Sequence, residues 1–115
     1  MIDSTVFLLT GDGSVGFHLA EIETAVRNNL SLVIIVGNDS RWNAEHQLQI
    51  REFGEDRLNA CGLTEISYHE SCVALGGSGM HVSTVEVLRS ALSEECQSSV
   101  LCIDVTLDGR AAPGF

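Results

Sequence analysis

The stretch that most constrains this chain is Phe7-Leu8-Leu9-Thr10-Gly11-Asp12-Gly13-Ser14-Val15-Gly16. An apolar run that reads as a buried strand feeds a glycine-rich turn, and a helical pattern follows at once. Glycine lets the backbone turn sharply and approach a ligand, while the free N–H groups of the turn and of the helix start point at an anion. Strand, turn and helix in this order make a phosphate cradle. Asp12 is the unusual part, because a carboxylate placed beside a phosphate repels it. A divalent cation shared between the two removes the conflict. Mg2+ takes hard oxygen ligands in octahedral geometry and commonly uses one or two carboxylates plus substrate phosphates.

Such an ion needs a second oxygen ligand at the mouth of a neighbouring strand. Leu32-Val33-Ile34-Ile35-Val36 is a second buried-strand run, and Gly37-Asn38-Asp39-Ser40 follows it directly. Twenty-four residues separate the Gly11-Asp12-Gly13 triplet from Asn38. This compound signal resembles the binding motif for thiamine diphosphate (ThDP), a GDG triplet set apart from an Asn-rich turn by a helix and a strand. The wording from Gly11 to Trp42 is most similar to the acetolactate synthase, benzaldehyde lyase and 2-hydroxyacyl-CoA lyase branch of ThDP enzymes. The likeness is strong over residues 6–42 and continues more weakly to Val105.

The resemblance implies roles residue by residue. Asp12 and the Asn38 side chain are metal ligands, and the Ser40 main-chain carbonyl is a third. Gly11, Gly13 and Ser14 hold the diphosphate through main-chain N–H groups. The usual Asn-Asn pair reads Gly37-Asn38 here, and the second Asn is the ligating one, so the metal site survives the change. The family's active site lies between two related domains, and a glutamate on the pyrimidine-binding partner activates the cofactor. No catalytic residue is therefore expected on this chain. The diphosphate-binding domain also normally begins well upstream of the GDG strand. The resemblance thus implies a partial ThDP-binding domain over residues 1–107 and a tail over 108–115. It implies the diphosphate and Mg2+ half of a 2-oxo acid decarboxylase or carboligase, inactive without its partner.

Two other readings compete. Gly11, Gly13 and Gly16 also satisfy the G-x-G-x-x-G dinucleotide fingerprint, and Asp39 ends the second strand where a ribose-binding acid is expected. Against this stands Asp12, which would face the pyrophosphate of a dinucleotide with no metal to neutralise it. The other is a non-catalytic remnant that serves as an interaction module. Missing elements would leave apolar surface exposed, so a homodimer or larger assembly is expected.

Composition sets limits. A chain of 115 residues is one domain, small for an enzyme with a cofactor crevice. Its net charge of -10 comes with six Arg and no Lys. Nucleic acid is excluded as a partner on that ground, since phosphate backbones need a basic footprint. An anionic cofactor is not, because a bound cation and oriented amides supply local positive potential. No apolar run is long enough to span a bilayer, and Met1-Ile2-Asp3-Ser4 lacks a basic leader region, so the expected location is the cytoplasm. Cys61, Cys72, Cys96 and Cys102 show no C-x-x-C spacing and read as buried reduced thiols. His18, His46, His69 and His81 read as structural or solvent-facing.

The rest of the chain alternates strand and helix. Residues 17–29 carry Leu19, Ile22, Ala25 and Val26 on one face, with an outward Glu23–Arg27 pair. Asn28-Asn29 precedes the second strand, so it ends this helix and is no part of the cofactor motif. Residues 41–53 suit a poorly periodic helix, either half-exposed or flanking the cofactor, and 54–64 a mobile loop. Residues 68–75 read as a helix closed by Gly76-Gly77, and 80–82 as a strand. Ser83 and Glu86 form a capping box for a helix with Val85, Leu88 and Leu92 inward, running to about Cys96. The last strand spans 100–105. Together these predict an α/β fold: a mostly parallel sheet with helices on both faces and ligands at the carboxyl ends of the strands.

Overall fold

The runs of Val, Ile and Leu become the strands of one parallel sheet, the arrangement in which strands covered on both faces need no polar alternation. The computed structural model describes residues 4–93 and 99–111. The strands are β1 (Val6–Gly11), β2 (Leu32–Asn38), β3 (Ser78–Val82) and β4 (Val100–Thr106), in the order β1-β2-β4-β3. Every pairing is parallel. The helices are α1 (Asp12–Gly16), α2 (Glu21–Arg27), α3 (Asn43–Phe53), α4 (Tyr68–Ala74) and α5 (Val85–Ser93).

Helices cover both faces, as the strand-helix alternation predicts. On one, Val15, Ile22, Ala25, Tyr68 and Cys72 of α1, α2 and α4 pack on Ile34, Val36, Val100 and Cys102. On the other, Ala91 of α5 packs with Val33, Val82 and Ile103. Leu19 and Val26 join the first cluster, which completes the stripe read from residues 17–29. The Glu23–Arg27 pair forms at 3.1 Å. Asn28 caps α2 and Asn29 takes φ 52, so this pair ends the helix.

Several expectations are corrected. The first helix does not begin at residue 17. It starts at Asp12 inside the glycine triplet, stops at Gly16, and resumes at Glu21 after a turn tightened by three-residue bonds, His18 N to Val15 O and Glu21 N to His18 O. β1 is not buried: it is an edge strand, with Phe7 62% and Leu9 78% exposed. Its apolar run marks a strand built for cover on both faces, which periodicity cannot distinguish from cover already present. In α5 the inward residues are Leu88 and Ala91, while Val85 and Leu92 are exposed. The cap is Thr84, whose Oγ1 accepts from Val87 N at 3.3 Å, one residue later than the predicted Ser83 box. The end of that helix near Cys96 lies outside the described residues. The loop at 54–64 holds a 3-10 turn at Glu55–Arg57, and its far end is tied down by an antiparallel bridge between Arg41 and Gly62.

Cys61, Cys72 and Cys102 are buried free thiols, and Cys96 is outside the described residues. Cys72 is wedged against Gly77, where an added Cβ would stand 2.7 Å from its Sγ. Burial, reinforced by Cys72 and Asp104 nearby, pushes the Cys102 thiol from an ordinary 9.0 up to about 12. A thiol whose pKa is raised by folding ionises first in the unfolded chain. Unfolding then releases a proton, so stability is lost as pH climbs from 9.0 toward about 12. Melting followed by circular dichroism should show Tm falling through this window, with a shallower slope in Cys102→Ala; equal slopes contradict the assignment.

Candidate functional site

The register that pairs Gly11 of β1 with Gly37 of β2 sets the two turns side by side at the carboxyl edge of the sheet. Asp12 opens α1 there and is only 3% exposed. A buried carboxylate needs hydrogen bonds to offset lost hydration. Its Oδ1 accepts from Gly13 N at 2.9 Å, and its Oδ2 from Arg41 N at 3.2 Å across the turns. The Tyr68 hydroxyl donates to the Asp12 main-chain oxygen at 3.1 Å, which ties α4 to the same point.

The turn after β2 is built by Asn38. Its Oδ1 accepts from Ser40 N at 3.3 Å, a side-chain turn of the kind Asn favours. Ser40 takes φ 55, in the left-handed region that costs a residue with a Cβ. Its main-chain oxygen accepts from Leu63 N at 2.8 Å, which leaves one lone pair of that carbonyl. Asn38 Nδ2 donates to Ile66 O at 2.9 Å and to Asp104 Oδ1 at 3.1 Å.

The two oxygen-bearing side chains therefore border one turn: Asn38 engages the Ser40 amide and Asp12 the Arg41 amide. Gly11, Asp12, Gly13 and Ser14 also line a crevice of about 480 Å³, together with Asp39, Arg41, Trp42 and Leu107. That volume lies within the range of small-ligand clefts. Asn38 and Ser40 are not on its wall; Ser40 borders a neighbouring hollow of about 270 Å³. A Cβ at Gly11 would meet nothing within 4 Å, so the cradle is open at that glycine. Among the described residues, no group of three or more His, Cys, Asp or Glu is placed to hold a metal. The expected set differs in kind, since it uses one carboxylate, an amide oxygen and a main-chain carbonyl.

Charge at the crevice is unbalanced. The Asp39 carboxyl is pushed above its usual range, first by burial and then by the Asp12 carboxylate, with Arg41 pulling the other way. Arg41 Nε is held on the Asp39 main-chain oxygen at 3.2 Å. At Gly37, where the Asn-Asn pattern has its first Asn, an added Cβ would stand 2.9 Å from Leu107 Cδ1. Leu107 occupies the space that the missing side chain leaves.

Trp42, Asp104 and Tyr68, which had no role in the site as read from the sequence, complete it with His69, one of the histidines read as structural or solvent-facing. Trp42 lies over Gly13 and against Phe17, with ring centroids 5.4 Å apart. Asp104 accepts at Oδ2 from Tyr68 N at 2.8 Å, and His69 Nδ1 lies 3.1 Å from the same oxygen. Asp104 had a usable signal, as the one acid within the apolar run of residues 100–105; Tyr68, His69 and Trp42 had none. His81 joins them through its ring, 5.6 Å from that of His69. A Cβ at Gly13 would stand 2.8 Å from the Trp42 ring, and this is the chain's one tryptophan. Gly13→Ala should therefore shift the intrinsic emission and cost about 1–3 kcal/mol by overpacking. An unchanged spectrum and melting curve contradict the contact.

Comparison with known proteins gives the family and the fold. A family profile described as thiamine pyrophosphate enzyme, C-terminal TPP binding domain, matches residues 1–105. Bovine 2-hydroxyacyl-CoA lyase 2 is 33% identical over 114 residues, covering 94% of this chain and 18% of that protein. A probable acetolactate synthase of Mycobacterium bovis is 35% identical over 95 residues, covering 83% of this chain and 17% of that one. The chain thus spans less than a fifth of the length of these relatives. Benzoylformate decarboxylase from Polynucleobacter necessarius superposes with TM-score 0.85 at 20% identity, over 96% of this chain and 21% of that one, a likeness of fold. Thiamine pyrophosphate is ThDP, so these matches set aside the dinucleotide alternative. The chain belongs to the thiamine pyrophosphate enzyme family, as its C-terminal TPP-binding domain.

Proposed function

We propose that this chain is the diphosphate- and Mg2+-holding part of a ThDP-dependent 2-oxo acid decarboxylase or carboligase, of the acetolactate synthase and 2-hydroxyacyl-CoA lyase type. The observation that carries the reading is the shared turn: Asp12 Oδ2 and Asn38 Oδ1 accept from the successive amides of Arg41 and Ser40. A carboxylate and an amide oxygen bordering one turn suit a hard cation, and each oxygen keeps a lone pair beyond its N–H partner. Ser40 contributes the second lone pair of its carbonyl. Burial first and the Asp12 carboxylate second raise the Asp39 pKa, and the acid-acid part is what a cation would relieve.

Gly11, Gly13 and Ser14 face the crevice at the start of α1, where the helix dipole favours an anion; Gly13 N donates to Asp12 Oδ1 at 2.9 Å and would be shared with the diphosphate. They would hold the diphosphate, and Asp12, Asn38 and Ser40 would hold the ion. When bound, ThDP supplies the electron sink for decarboxylation or for cleavage and ligation of carbon-carbon bonds. This chain's residues bind and orient; the group that activates the cofactor belongs to a pyrimidine-binding partner, and no catalytic residue is assigned here. Among the described residues no helix is long and apolar enough to cross a membrane, and we place the protein in the cytoplasm.

Isothermal titration should detect ThDP binding that requires Mg2+ and is lost in Asp12→Ala, while the purified chain neither decarboxylates pyruvate nor forms acetolactate. A folded chain indifferent to both ligands favours the remnant reading, and turnover by the chain overturns the need for a partner.

The exposed apolar edge at Phe7, Leu9 and Phe17 supports self-association or burial against that partner. Light scattering at micromolar concentration should report a dimer or larger; a clean monomer contradicts the homo-oligomer.

A further inference from the structure

Resting on the metal reading above, we propose that Asp104 is a positioning residue that decides which end of the Asn38 amide faces the ion. An amide has two ends of nearly equal shape, and only the oxygen ligates a hard cation. Asn38 Nδ2 lies 2.9 Å from the Ile66 carbonyl oxygen and 3.1 Å from Asp104 Oδ1. Both atoms are acceptors, so the NH2 end must sit there. The oxygen is thereby turned away from them, to the Ser40 amide, whose neighbour Arg41 donates to Asp12.

Of the two acceptors, Asp104 is the rigid one. It is 2% exposed on the interior strand β4, where the β2–β4 register pairs Asn38 with Thr106. It lies on the same face as Val100 and Cys102, in a run otherwise suited to the core. Its other oxygen is occupied by Tyr68 N at 2.8 Å and His69 Nδ1 at 3.1 Å, so the carboxyl group cannot swing away. An acid in that position costs free energy that an aliphatic residue would not. Holding the start of α4 needs only Oδ2. The second oxygen, spent on Asn38, is what the metal-site role explains.

The experiment separates the two roles by keeping an oxygen for α4 and removing the acceptor that faces Asn38. In Asp104→Asn the new amide oxygen serves Tyr68 and His69, and its NH2 meets the NH2 of Asn38. With only the Ile66 carbonyl oxygen left as an acceptor, the Asn38 amide is no longer held in one orientation with its oxygen toward the ion. The Mg2+ concentration for half-maximal ThDP binding, read by isothermal titration, should rise roughly tenfold or more.

An Asp104→Asn protein with an unaltered Mg2+ requirement overturns the proposal. Should Asp104→Asn fail to fold, nuclear magnetic resonance of the unaltered chain decides. The Asn38 NH2 protons should be protected from exchange without any ligand, and solvent-like exchange sinks the role. An unaltered chain that ignores Mg2+ sinks the metal reading itself, and the positioning role with it; a difference confined to the variant bears on the role only.

Discussion

A buried carboxylate at position 12 is the constraint on which the carboxyl edge of the sheet depends. Asp12 sits where two parallel strands end, and its two oxygens are satisfied by amides from two different turns, Gly13 in its own and Arg41 in the next. That pair of bonds fixes the turn after β2 against the turn after β1. Tyr68 adds a third tie, from α4 to the Asp12 main chain. A buried acid with fewer partners would cost the fold several kcal/mol. With them it acts as the joint between two crossover units.

Asp104 is the counterpart on β4. Asp12 and Asp104 are the only buried charged or polar residues among those described, and the turn around Asn38 links them. Asp104 fixes the Asn38 NH2, Asn38 fixes the Ser40 amide, and the following amide of Arg41 reaches Asp12. The series runs through neutral amides, so the two acids are bridged without being neutralised. The Asp39 carboxyl is pushed toward its protonated form first by burial and then by the Asp12 carboxylate. An edge with this much uncompensated negative charge, in a chain of net charge -10, is suited to a cation and to an anion that the cation brings with it.

Much of this was legible in the chain. Strand, glycine triplet, helix, strand and Asn turn are local patterns, and each formed within a few residues of its expected place. What misled was apolar content read as burial. Leu9 lies in as apolar a run as Ile34, yet one is 78% exposed and the other 3%, because only the strand order tells which run lies at the edge. Val85 and Leu92 were expected inward on α5 for the same reason, while Ala91, the smaller residue, makes the contact. The cap moved from Ser83 to Thr84, a shift of one residue that composition does not resolve.

The sequence by itself determined the class of fold and the chemistry of its binding edge: apolar runs spaced for parallel crossovers, glycines where a backbone must approach an anion, and an acid and an amide one crossover apart. Those are short-range properties, set by which residue follows which. The tertiary structure alone decided which groups meet. Asp104 stands 66 residues from Asn38, Tyr68 56 residues from Asp12, and Leu107 fills the hollow at Gly37. Such contacts depend on strand order and register, and a shift of one residue in a strand turns every side chain to the other face. Only the packed sheet selects among those registers, by the free energy of burying one set of faces instead of the other.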